Sequence, residues 1–532
     1  MKNIFKYIFV GMAAVSAVGC SDQLDTYPSS SVSGDQLLTS AQNALIPLNG
    51  TIRAFYTAGV SNTSNTHQCF GISAYNLMAD VMGEDCIMSA AGSGWFWYDC
   101  IYKVKDKYTS VGWRPYEAWN GYYQWISNVN YIIAAEETMT GTDEDKNYVL
   151  GQAYAIRAYS YFMLIQTYAR TYKGHETDPG VPVYTEPTNI NTDGKPRGTV
   201  QDVYDQITKD LTKAISMLRN ASERTVKSHL DLYTVLGIQA RVALVMEDWP
   251  TAKAAAEEVI NDGGYKIGGE AEILNGMNDV SLNNVMWGAA ISADQSGSYA
   301  GFFTHMDADQ KAYGESARKQ INKDLYALMN NYDDIRKWNK ETKKGWWNPD
   351  DINNKSGGYQ QEKFKFKDGA LWTGDYIWMR IEEMYLTAAE ANCRISGNEE
   401  IAKKQLSTLL LARGYKDTST PNDGIVDYLD GLTGTELGKL TTERKENSLL
   451  QAIIDQRRIE LWGEFGRIYD IRRLHQGFKR TTEMGWPQSA ISIGKTDDPE
   501  SYAWVLTLPQ SEFDGNPSLD QSKDQNPIGD EK

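Results

Sequence analysis

A succession of helix-period segments separated by short breaks most constrains how this chain folds. Between Tyr148 and Tyr168, Ala153, Ile156, Ala158, Tyr161, Phe162 and Ile165 recur at helical spacing. Val203, Ile207, Leu211, Ile215 and Leu218 repeat at intervals of three and four. Leu232 to Met246 reads as a further helix. Trp249-Pro250 then breaks the pattern, and Thr251 is expected to cap an Ala-rich helix running through Ile260. Helical patterning returns at Arg380 to Arg394 and at Leu450 to Leu474.

Helix–turn–helix pairs with small residues at the crossings resemble tetratricopeptide repeats, although no strict repeat period survives. Long irregular stretches rich in Gly, Pro, Asn and Trp interrupt them, from Thr171 to Thr199, Asp262 to Gln310 and Lys337 to Gly374. Loops of this length are uncommon unless they carry a function. The expected fold is therefore mainly α, with tetratricopeptide-like helix pairs forming a spine, an irregular loop-rich lobe and little β. The expected divisions are 1–19, 20–40, 41–270 and 271–532, respectively an export signal, a polar leader, a helical N-terminal region and a C-terminal region carrying binding loops.

The first division rests on its own pattern. Lys2 and Lys6 precede an apolar run from Ile8 to Val18, too short for a permanent spanning helix and suited to a signal peptide. The run ends at Ala17, Val18, Gly19 and Cys20, which resembles a bacterial lipobox, with Val18 where Ser or Ala is common. That resemblance implies cleavage before Cys20 and acylation of its sulfur, and two or more acyl chains such as palmitate make a stable anchor. Formal net charge is −17, and removal of Lys2 and Lys6 leaves the remainder more acidic still. Such a surface repels nucleic acid and anionic membrane. Four other cysteines remain, at positions 69, 86, 100 and 393. Cys86 and Cys100 bracket an aromatic segment, and either a disulfide between them or buried free thiols fits the sequence.

Several blocks together carry a family resemblance. Gly151 to Arg170 reads GQAYAIRAYSYFMLIQTYAR, and Arg380 to Arg394 reads RIEEMYLTAAEANCR. Ile453 to Leu474 reads IIDQRRIELWGEFGRIYDIRRL, Leu508 to Pro517 reads LPQSEFDGNP, and Gln525-Asn526-Pro527 follows. In this order, and after the start CSDQLDTYPSSSVSGDQLL, they resemble the SusD/RagB family of outer-membrane lipoproteins. Ile528 departs from the Gly common after that Pro. The resemblance implies a cell-surface lipoprotein that captures glycans and delivers them to a TonB-dependent transporter of the SusC type, over which it sits as a lid. A binder of peptide or another nutrient, and a surface glycosidase, are the rival readings.

No HExxH, GxSxG, GxxxxGK or GxGxxG pattern is present, and the five histidines stand apart in sequence. No cofactor or metal is called for, since Asp350, Asp351 and Asn353 lack the Gly and closing Glu of a calcium loop. Arg457, Arg458, Glu460, Glu464, Arg467, Asp470, Arg472 and Arg473 read as ion pairs that fix helix register rather than as a catalytic acid pair.

The aromatic content points elsewhere. The chain has 15 Trp and 32 Tyr against 13 Phe. Trp and Tyr offer a flat ring to the C–H face of a sugar, and each stack contributes about 0.5–1.5 kcal/mol by analogy with other ring contacts. A few such stacks correspond to affinities on the order of 0.01–1 mM. The expected ligand-binding residues are Trp95, Trp97 and Tyr98 beside Gly92 and Gly94, Trp346 and Trp347 between Gly345 and Asn348-Pro349, and Tyr313 near the Tyr299–Phe303 stretch. Alternation along an extended strand would put Trp95 and Trp97 on one side. Trp287 and Trp462 are expected in the core.

Overall fold

The computed structural model describes residues 37–59, 61, 63–88, 95–296, 299–329, 333–351, 357–419 and 424–529. The export signal, Cys20, the leader up to residue 36, and Gly92 and Gly94 lie outside them.

Helices form at the segments expected from periodicity and at further ones, and the expected run from Leu450 to Leu474 is interrupted by a turn at Gly463 and Gly466. The helices are α1 (Ala41–Ala54), α2 (Ile72–Met82), α3 (Arg114–Ala134), α4 (Asp143–Tyr168), α5 (Val200–Leu218), α6 (Leu232–Met246), α7 (Trp249–Asp262), α8 (Ile381–Arg394), α9 (Glu399–Ala412), α10 (Leu449–Glu460) and α11 (Arg467–Arg473). Local chemistry sets their starts. The Thr142 hydroxyl caps α4, whose first turn holds Asp143, Glu144 and Asp145 against the positive end of the dipole. A reciprocal Thr199/Asp202 capping box opens α5. At α7 the cap is Asp248, not Thr251, and Asp248 accepts from the Thr251 N–H. Pro250 falls in the first turn, where its missing N–H costs no helical bond.

Packing of consecutive helices generates the spine. α3 lies on α4, α4 on α5, α5 on α6, and α6 on α7. α7 then packs on α8, which packs on α9 and α10. The central helix α4 is buried on nearly every side from Tyr148 to Tyr168, which is why its sequence is apolar or small all round. Buried Arg157 on α4 donates to both oxygens of Asp210 on α5, at 2.8 and 2.7 Å. A paired guanidinium and carboxylate at that depth fixes how the two helices meet.

Between α7 and α8 the chain leaves the spine and builds the irregular lobe. Strand β1 (Cys86–Met88) joins β3 (Lys319–Ile321), β5 (Tyr359–Gln361) and β4 (Trp347–Asn348) in an antiparallel sheet of order β1-β3-β5-β4. β2 (Val285–Ala289) pairs with β6 (Tyr376–Arg380), which leads into α8. Trp287 on β2 is fully buried among Phe55, Tyr159 and Trp378, and Trp462 is buried as well, as expected.

A buried ionic lattice joins the lobe to the spine. Glu460 at the end of α10 accepts from Arg336, Arg380 and Arg413. Glu464 accepts from Arg380 and Lys363. Arg457 pairs with Asp470, and Arg473 bridges Asp470 to Glu390 on α8. Arg458 and Arg467 grip Glu84 and Asp85 just before β1. The charged residues read from the sequence thus form the expected ion pairs, except Arg472, which donates to the Gln166 and Ala169 carbonyls. The four cysteines at 69, 86, 100 and 393 are buried free thiols, so Cys86 and Cys100 are not bridged.

Candidate ligand-binding site

The sheet of the lobe brings one aromatic cluster together. Met88 faces Lys319 across the β1–β3 ladder, so the segment after β1 and the segment before β3 emerge side by side. Trp95 belongs to the first and Tyr313 to the second, and their ring centroids are 4.5 Å apart at 47°. Tyr299 lies 5.5 Å from Tyr313, and Trp372 lies 5.3 Å from Tyr299. Ser296 donates to the Leu371 carbonyl at 3.1 Å, tying the segments that carry these two rings.

His67 sits among them. Its ring stacks on Tyr299 at 6.1 Å and 20°, and approaches Trp95 and Tyr313 at 5.5 and 5.8 Å. Its Nδ1 hydrogen bonds to the Tyr313 hydroxyl at 2.5 Å. Below, the Nε2 of buried His305 bonds to the His67 carbonyl at 2.7 Å, and burial holds this histidine well below its ordinary range, neutral. Lys319 is also buried and donates to the Ala317 carbonyl at 2.9 Å; burial pushes its ammonium down to about 8. The floor is braced by directional bonds, and the upper rings stay open to solvent: Tyr299 is 44% exposed, and Trp95, Tyr313 and Trp372 are half-buried. These rings are tilted to one another, at 47° to 57° between neighbours.

Of the residues expected to bind ligand, Trp95 and Tyr313 come together in this cluster, and Trp97, Tyr98, Trp346 and Trp347 lie outside it. Trp97 is buried because Phe96 takes a left-handed φ of 71°, which turns the chain into a short helix at Trp97–Cys100 and ends the strand-like alternation. Tyr98 is exposed, but its ring neighbour is Trp113 at 4.9 Å. Trp346 and Trp347 are fully buried and form no binding loop. Trp347 pairs with Gln361 in the sheet, and the Trp346 indole donates to the Ile273 carbonyl at 2.8 Å. Lys363 lies 4.2 Å from the Trp346 ring centroid. Gly345, at φ +146°, makes the inward turn possible, since a Cβ there would lie 2.4 Å from the Lys337 carbonyl oxygen. His67 and Trp372 are the residues the sequence did not flag for the site. Only the loop aromatics around Trp372 gave a hint, and nothing local marks His67.

Among the described residues no group of His, Cys, Asp or Glu is arranged to hold a metal ion. Asp350 and Asp351 pair with Lys340 and Arg318. Among those residues no helix is long and apolar enough to cross a membrane.

Fold and cluster together define a class: a helical-repeat spine carrying a loop lobe with an aromatic surface. Residues 33–244 match a family model described as starch-binding, associating with outer membrane, and residues 353–527 match the SusD family model. A SusD-like protein of Bacteroides ovatus is 24% identical over 159 residues, a stretch covering 29% of this chain and 25% of that protein. The match therefore spans about a quarter of the curated relative's length. A SusD-like carbohydrate-binding protein from Bacteroides vulgatus superposes with a TM-score of 0.72 at 24% identity, covering 90% of this chain and 97% of that one. A SusD superfamily protein from Bacteroides thetaiotaomicron gives 0.71 at 21%, covering 92% and 100%. The chain belongs to the SusD/RagB family.

Proposed function

We propose that this protein captures glycans at the cell surface and delivers them to a TonB-dependent transporter of the SusC type. The observation that carries the reading is the cluster of Trp95, Tyr299, Tyr313 and Trp372, with rings from separate segments gathered on a braced floor yet left open. Ring faces match the C–H faces of sugars, and the Tyr hydroxyls and the Trp N–H groups serve the hydroxyl rim. The state of the acid pair that a catalytic reading would use supports binding over catalysis. Glu460 and Glu464 are buried and fully engaged with cations, so neither is free to exchange a proton with a substrate. The lipobox-like sequence ending at Cys20 supports a lipid anchor, and the description of the family supports an outer-membrane address.

Calorimetry against a panel of soluble glycans tests the site. At least one glycan binds the wild type, and Trp95→Ala and Tyr299→Ala each lower its affinity roughly two- to tenfold, as expected for one lost stack. Unchanged affinity in both variants sinks the assignment. Hydrolysis of a bound glycan that disappears on changing one carboxylate would overturn the non-catalytic reading. Release of the Cys20→Ala protein from membranes and co-purification with a transporter test the anchor and the delivery role.

A further inference from the structure

A second cavity, of about 340 Å³, opens on a different part of the molecule. It lies between α3, the connection from Tyr184 to Gly194, and the C-terminal helix Gln510–Gly515. It shares no residue with the cluster around Trp95. Its volume falls within the range of small-ligand sites.

Hydrogen bonds and ring contacts brace its walls. The Trp119 indole donates to Glu512 Oε2 at 3.1 Å, and the Asn516 amide donates to Glu512 Oε1 at 2.8 Å. Asn516 also donates to the Lys195 carbonyl at 2.9 Å, and Ser518 to the Gly194 carbonyl at 2.7 Å. Gly194 is required there, since a Cβ would lie 2.0 Å from Asn516 Oδ1. On the opposite side, Tyr123 donates to the Pro182 carbonyl at 2.7 Å, and Asn130 to the Tyr184 carbonyl at 3.1 Å. Rings of Trp119 and Tyr123 meet at 4.8 Å, and Tyr123 and Tyr184 at 6.1 Å. The rim adds Tyr116, Asn120 and Asn189. Asn189 accepts from the Asn191 N–H through its Oδ1 at 2.8 Å.

Aromatic rings, side-chain amides and one carboxylate line this space, and among the described residues no Lys or Arg does. The nearby Lys195 ammonium lies over the Tyr184 ring and is held by the Val183 carbonyl. Rings and amides suit a pyranose with its hydroxyls, while Glu512 disfavours an acidic one. We infer that this cavity is a second saccharide site, selective for neutral sugar units over uronate or sulfated ones. The site extends the proposed function to new residues, and the two stand or fall separately.

Saturation-transfer NMR with hexaoses of glucose, xylose and mannose, and with a galacturonate hexamer, tests it. The Trp95→Ala/Tyr299→Ala protein removes the cluster while keeping the cavity. That variant is expected to retain saturable signal from at least one neutral hexaose and none from galacturonate. Adding Tyr116→Ala and Asn189→Ala, both at the rim, is expected to cut the residual signal at least fivefold, with an unchanged melting curve. No residual signal in the cluster variant, or residual signal indifferent to the rim changes, overturns the second site. Galacturonate bound as well as the neutral hexaoses overturns its selectivity. If the rim changes instead abolish co-purification with a membrane protein and spare every sugar signal, the cavity is a protein contact and the inference fails. Loss of cluster binding alone would count against the proposed function and leave this site standing.

Discussion

Arg413 grips Glu460 with two hydrogen bonds, Nε to Oε2 at 2.9 Å and Nη2 to Oε1 at 2.6 Å, and neither side chain is exposed to solvent. Burial alone would push the Glu460 carboxyl up, but Arg413, Arg380 and Arg336 together hold it well below the usual carboxylate range. The pair joins the end of α9 to the end of α10 at the base of the lobe.

Breaking this pair by removing one partner leaves an uncompensated buried charge. Glu460→Gln and Arg413→Ala are each expected to cost about 3–5 kcal/mol of stability. Urea denaturation followed by circular dichroism reads this directly. Glycan affinity measured on the folded fraction is expected to stay unchanged, because neither residue reaches the cluster. A loss of affinity with no loss of stability would contradict the structural role.

Asp80 gives a pH signature. Burial raises its carboxyl from 3.8 to about 8, against the lowering effect of the Arg467 N–H and Lys363, while Glu464 and Asp85 push it further up. One oxygen accepts from the Arg467 N–H at 2.9 Å, and the other has no partner, which suits a protonated acid. In the unfolded chain Asp80 ionises near its ordinary value. The folded state therefore holds the extra proton, and its stability falls as pH rises through the interval between the two values. From this group the slope is about 1.4 kcal/mol per pH unit from about pH 4 to pH 8, levelling off above. Asp80→Asn keeps the amide contact and has no proton to lose. Denaturation from pH 5 to pH 9 is expected to show a wild-type decline that is shallower by this slope in the variant, and parallel profiles would refute the assignment.

The aromatic residues divide by depth. Trp346→Ala and Trp347→Ala each remove a fully buried indole and are expected to destabilise the fold by about 3–5 kcal/mol. Tyr299→Ala is expected to change stability by less than about 1 kcal/mol and to weaken glycan binding instead. Thermal melts and calorimetry on the same three proteins separate the two classes.

The thiols are expected to be silent. Burial pushes Cys69, Cys86 and Cys100 above the ordinary thiol range and Cys393 up to about 12. Little thiolate exists at neutral pH, and reagent cannot reach the sulfurs. A thiol-reactive dye is expected to label these four positions only after unfolding, and reductant to leave the melting temperature unchanged. Rapid labelling of the native protein, or a drop in melting temperature with reductant, would refute this.

The sequence by itself determined much of the helical spine. Periodicity over whole turns is a local property, and it marked α4, α5, α6 and α7 correctly. The charged blocks around Glu460 and Arg473 announced an ionic lattice because so many charges on an otherwise apolar helix need partners. Composition announced an aromatic surface but not its members. Exposure is set by residues far along the chain, and local punctuation misled at two places. Gly345 and Asn348-Pro349 signalled an exposed loop, yet pairing with Gln361 drew Trp346 and Trp347 into the core. Alternation suggested that Trp95 and Trp97 share a face, yet the left-handed turn at Phe96 sent Trp97 inward and left Trp95 at the surface. The tertiary structure alone decided that Trp95, Tyr313 and His67 meet, because the ladder between Met88 and Lys319 closes a long loop that no local pattern encodes.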